Sequence, residues 1–143
     1  MGLDLPLIER RFAMILEEVE FLKSIRKQSY DEFLTDGRSL RSTARAIETI
    51  AQSIIDICSH IVAQKHYGIS DTYKGTIELV TRHHIISIDL ATNLQKVVAM
   101  RNVLVHQYLD IDFEIVWNAI DTLLIDAHTF VQEIKKHLNT ESK

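Results

Sequence analysis

One proline and four glycines in 143 residues leave this chain very little with which to turn. A sheet of short strands needs turn residues roughly every 8–12 positions, whereas long helices do not. The apolar residues agree, because they recur at three- and four-residue steps. Leu5, Ile8, Phe12, Ile15, Val19 and Leu22 predict a first helix over 5–26, capped by Asp4 with Pro6 in its first turn. Residues 30–37 read as a connection. A long second helix is predicted over 37–67 and stopped by Gly68, with Ala44, Ile47, Ala51, Ile54, Ile55, Cys58, Ile61 and Val62 on its apolar face. Residues 70–84 read as a loop and a short helix. Ser87 or Asp89 caps the next helix, whose inner face carries Leu90, Leu94, Val97, Leu104 and Tyr108. Asp112 caps the last, predicted over 113–138, with a frayed tail over 139–143. The expected fold is therefore all-α: one domain over 1–143, an antiparallel up-and-down bundle of four long helices and one short.

Charge and composition exclude several roles. The net charge is −4 and the pI about 5.9, so there is no domain-wide basic field of the kind DNA binding calls for. The single cysteine, Cys58, lies in an apolar pattern and reads as a small buried hydrophobe. One cysteine forms no disulfide within the chain, which suits a reducing cytoplasm. Acids and bases interrupt residues 1–22, so no secretory signal is read there. No apolar run approaches ~18 residues, so no membrane span is expected. His83 and His84 are adjacent and point about 100° apart on a helix, with no convergent third ligand, so no metal is expected there.

Polar residues on the second helix form a stripe. Arg38, Arg41, Arg45, Gln52 and Asp56 fall within about 60° of one another, and Glu48 borders them. The stripe is either an exposed face or one wall of a cleft whose arginines await an anion. On the next helix Arg101 interrupts the apolar face. A lone charge is almost never buried unpaired, so Arg101 pairs with an acid or lines a cavity, and Asp56 and Glu48 are the first acids to try.

Arg101 opens the segment Arg101-Asn102-Val103-Leu104-Val105-His106-Gln107-Tyr108, which concentrates phosphate-directed chemistry. Arg offers a planar fork of donors, and His transfers a proton near neutrality. RNA carries its own nucleophile, the 2′-OH, beside every phosphate. Cleavage then needs an acid/base, His106, and donors for the charge on phosphorus, Arg101 with Asn102. No metal or other cofactor is required. Asn102 and His106 share a helix side, but Arg101 and His106 lie about 140° apart on a straight helix. Three resolutions are open: the helix loosens near His106, Arg101 bends round, or the site is assembled across a dimer seam.

Arg-Asn-x-x-Val-His-x-Tyr followed by Ile-Asp resembles the HepT-like toxins of the HEPN superfamily. Arg45-Ala-Ile-Glu48, Ile54-Ile55-Asp56-Ile57 and His60-Ile61 extend the likeness upstream. The resemblance implies a homodimer with the Arg and His motifs meeting at the intersubunit cleft, and metal-independent endoribonuclease activity. Arg101 and His106 match the catalytic pair, and Asn102 the polar residue beside the arginine. It also implies an MNT-type nucleotidyltransferase antitoxin as partner, which adenylylates the tyrosine matching Tyr108. Gln107 stands where a small residue is usual. Some members are non-catalytic, nucleotide- or substrate-binding partners of a nucleotidyltransferase, which is the alternative class of function.

Overall fold

The computed structural model describes residues 2–106 and 111–141. Its elements are all helices: α1 (Leu5–Ile25), α2 (Tyr30–Thr35), α3 (Gly37–Lys65), α4 (Tyr73–Arg82), α5 (Ile88–His106) and α6 (Phe113–Glu141). No strand occurs among the described residues. Asp4 caps α1, its carboxylate accepting the Leu7 N–H at 3.0 Å. Asp112 likewise accepts the Glu114 N–H at 3.0 Å at the start of α6. These caps satisfy donors that the first helical turn leaves without partners.

The core lies where the periodicity puts it. Ile8, Phe12, Ile15, Val19 and Leu22 of α1 are buried against α3, whose Ile47, Ile50, Ile54, Ile57 and Ile61 are essentially inaccessible. Each such isoleucine contributes roughly 1.5–3 kcal/mol on leaving water. Contacts fix the helix directions pair by pair. Asp4 meets His60, and Arg11 meets Asp56. Arg26 meets Asp121, while Lys135 lies over Phe12. Ser87 meets Glu133, and Asn93 meets Asp126. Positions rise along one helix as they fall along its neighbour, so α1 runs against α3 and α6, and α5 runs against α6.

Several expectations need correction. Residues 30–35 form α2 and not a plain connection, so two short helices accompany the four long ones. Ser29 and Glu32 build a reciprocal cap there, and Phe33 is fully buried against Phe113 and Trp117. Leu5, assigned to the core face of α1, is 52% exposed and lines a surface groove with Lys65 of α3 and Leu138 of α6. Helix α3 stops at His66, not Gly68. His66 takes the left-handed conformation, φ 56°, and its N–H returns to Ala63 and Val62. Helix α6 continues past 138 to Glu141. Finally, α3 is long and apolar enough to cross a membrane by length and composition alone, but its most apolar 18-residue window is 61% buried within the bundle, so its apolarity serves the core.

Candidate functional site

Helix α5 is held at its start from two sides. The Ser87 hydroxyl accepts the Leu90 N–H at 3.2 Å, and Glu133 of α6 accepts the Ser87 N–H at 2.7 Å. From there α5 remains regular to His106. Leu90, Leu94, Val97 and Leu104 are buried, and Arg101 is drawn partly into the same stripe.

Among the described residues no carboxylate meets Arg101. Asp56 accepts instead from Arg11 Nε at 3.0 Å and Gln52 Nε2 at 2.8 Å. Glu48 accepts from Arg45 at 3.4 Å. The expected pairing fails because α1, packed along α3, delivers a competing arginine to Asp56. Arg101 Nη1 donates to Asn102 Oδ1 at 3.2 Å, and its Cζ sits 5.3 Å from the centroid of the Tyr73 ring. Its Nε is buried and has no hydrogen-bond partner among the described residues. A guanidinium carries five donors. Here an amide and an aromatic face hold it, neither of which neutralises its charge, so it keeps both charge and donors for an anion.

Asn102 and His106 are exposed, and His106 makes no side-chain hydrogen bond to a described residue. Because α5 does not loosen before His106, Arg101 and His106 stay about 140° apart round it. The guanidinium turns to Asn102 and Tyr73, so within one chain no contact joins the pair. Gln107, Tyr108 and the predicted break at Asp110 lie outside the described residues.

Arg38, Arg41 and Arg45 are exposed. Arg41 and Arg45 border a shallow groove with Glu18 and Phe21 of α1. Burial, then neighbouring Glu17, pushes the Glu18 carboxyl up, and Arg45 opposes the shift. This groove belongs to the α1–α3 seam and shares no hydrogen bond or ion pair with Arg101. His83 stacks flat on Tyr67, centroids 3.7 Å apart. Cys58 is fully buried, and burial pushes its thiol up to about 12, which leaves it protonated and unreactive at neutral pH.

Sequence reasoning missed Tyr73. It is the first residue of α4 and lies 28 positions before Arg101. Nothing local marks it; only the packing of α4 on α5 brings it over the guanidinium.

Comparison with known proteins sharpens this geometry. The family profile described as Ribonuclease HepT-like matches residues 15–134. A tRNA nuclease HepT from Aphanizomenon flos-aquae is 33% identical over 135 residues, covering 94% of this chain and 91% of that protein. An mRNA nuclease HepT from Shewanella oneidensis is 30% identical over 104 residues, covering 73% and 78%. The solved structure of a tri-AMPylated Shewanella oneidensis HEPN toxin in complex with an MNT antitoxin superposes with a TM-score of 0.84 at 26% identity, covering 95% of this chain and 99% of the toxin.

Proposed function

The chain belongs to the HepT-like ribonuclease family, and on that premise we propose that it is the toxin of a toxin–antitoxin pair, a metal-independent endoribonuclease restrained by an MNT-type nucleotidyltransferase. The observation that carries this reading is Arg101, a partly buried guanidinium that meets no carboxylate among the described residues and whose buried Nε has no hydrogen-bond partner there. A structural arginine in such a place has an acid; a phosphate-binding one awaits an anion.

In this reading His106 removes the proton from a 2′-OH, and the 2′-oxygen attacks the adjacent phosphorus. The bond from phosphorus to the 5′-oxygen breaks, and that oxygen takes up a proton. The products are a 2′,3′-cyclic phosphate and a 5′-hydroxyl. Arg101 and Asn102 stabilise the charge gathering on the phosphoryl oxygens. Since α5 separates Arg101 from His106, the working site pairs them across two copies of the chain in an up-and-down bundle dimer. Ile88 and Val103 of α5 and Ile115 and Ile125 of α6 are 42–75% exposed, apolar surface suited to such a seam. Sedimentation at micromolar concentration should give a dimer; a monomer alone would remove the composite site.

The partner is read as adenylylating Tyr108. A phosphate and an adenosine beside a cleft that admits RNA phosphates would repel and obstruct substrate. Tyr108→Phe should keep cleavage and escape neutralisation, with no added AMP by mass spectrometry at that residue. The place of action is the cytoplasm, with RNA and not DNA as substrate. Incubation of the purified protein with total RNA in EDTA tests the core of the reading. Cleavage that disappears in His106→Ala supports it, whereas intact RNA points to the non-catalytic binding subunit.

A further inference from the structure

A cavity of about 280 Å³ lies between α5 and α6. Met100 lines it, while Arg101, about 100° further round the helix, turns to Tyr73 on α4. Val97, Met100 and Leu123 give it apolar walls, and its polar groups are Asn93, Lys96, Thr122 and Asp126. Asp126 is the unusual member. It is 5% exposed, and its one hydrogen bond among the described residues comes from Asn93 Nδ2 at 3.1 Å. A carboxylate has about four acceptor sites, so most of its capacity is unused. Burial pushes its carboxyl above the ordinary range, against smaller opposing pulls from Asn93 and Lys96. Among the described residues no ion pair offsets the cost of placing it there. A largely apolar pocket with a few convergent polar groups and a perturbed acid is the usual form of a ligand site.

We propose that this cavity receives a guanine base. The proposal rests on the ribonuclease reading for its biological role, but its chemistry is independent of it. The Watson–Crick edge of guanine places the N1–H and N2–H donors side by side, next to the O6 acceptor. Asp126 and the free amide oxygen of Asn93 take the two donors, and Lys96 at the rim takes O6. Donated hydrogen bonds to an ionised carboxylate are the strong kind, and they relieve the desolvation that the empty pocket imposes. The ring lies among Val97, Met100 and Leu123, with the thioether against its face. The volume falls near the lower end of small-molecule pockets, roughly 300 Å³, enough for one ring system and not for a whole nucleotide. Adenine and cytosine set a donor beside an acceptor on this edge, and uracil has a single N–H, so none satisfies both acceptors. Met100 is about 9 Å along the α5 axis from His106, so a base held here flanks the reacting phosphate and is not the one at it.

The test uses the full-length His106→Ala protein, which binds without cutting. Calorimetric titration with GMP, AMP, CMP, UMP and inosine monophosphate should show GMP at least tenfold tighter than the rest, inosine being weakened by loss of its N2 amine. Asp126→Asn should abolish that preference. Lys96→Met, a change at an exposed residue, should weaken GMP severalfold and serves where Asp126→Asn fails to fold. Equal affinity for all five, or a retained GMP preference in a folded Asp126→Asn protein, overturns the pocket. Sequencing the ends produced by wild-type protein separates the two sources of guanine. Cuts at a fixed offset from G assign it to the RNA strand; cuts without G preference whose rate responds to added GMP assign it to a free nucleotide. Tight GMP binding by a protein that cuts no RNA would retain the pocket and remove the ribonuclease reading. Cutting without guanine selectivity in either assay would do the reverse.

Discussion

Arg26 and Arg101 are both partly buried arginines beside an aromatic ring, yet their surroundings differ in kind. Arg26 holds Asp121 through two hydrogen bonds of 2.9 Å and lies 4.4 Å from the centroid of the Trp117 ring. Arg11 is similar, with Asp56 at 3.0 Å. Arg101 has an aromatic face and an amide but, among the described residues, no acid. The aromatic contact is common to Arg26 and Arg101, and the carboxylate is what separates the structural arginine from the reactive one. A paired guanidinium has its charge neutralised at home. An unpaired one in a partly desolvated place attracts an external anion with little competition from water.

Arg101→Ala should reduce RNA cleavage by about 10²–10³-fold, the range for losing one charge-stabilising donor, with an unchanged circular dichroism melt. Arg101→Lys should recover only part of that rate, because a point charge does not reproduce a planar fork. If Arg101→Ala instead unfolds the chain, Arg101 is a structural arginine like Arg26. Arg26→Ala should do the opposite. Loss of an exposed ion pair and a cation–π contact costs about 1–2 kcal/mol together, read as a lower melting temperature with cleavage by the folded protein retained. A smaller effect concerns Asp126, whose folded carboxyl is raised above its ordinary 3.8 by burial. A raised acid favours folding most when protonated. Its contribution is full below 3.8 and is lost as pH rises through the folded value. Asp126→Asn should therefore melt higher than wild type at neutral pH, and the gap should close near pH 3. A constant gap across that range would show that the carboxyl is not desolvated.

Much of the fold was legible because helical periodicity and capping are local. Asp4, Asp112 and Ser87 cap as their positions predict, and the apolar stripes of α1, α3, α5 and α6 are the core. The hidden elements were short or ended by context. Six residues of α2 are too few to display a period, although the Ser29–Glu32 spacing of its cap was a visible signal. The left-handed His66 had no glycine to announce it. Within the site, the sequence placed Arg101, Asn102 and His106 on one helix and their spacing set them about 140° and one turn apart.

What the sequence determined by itself was therefore everything carried along a single helix: the all-helical class, the caps, the buried stripes, and the presence of a cation where an apolar residue belongs. Tertiary structure alone decided which groups that cation meets. Asp56 lies at a plausible position for Arg101 on any helical wheel, but α1 brings Arg11 to it first, and α4 brings Tyr73 over the guanidinium that is left. Asp126 was likewise visible as an acid within Leu123-Leu124-Ile125-Asp126-Ala127, yet only the packing of α5 on α6 set Asn93 beside it and left a cavity there. Side-chain partners between helices depend on rotation and register set by the whole core, and no local pattern encodes those.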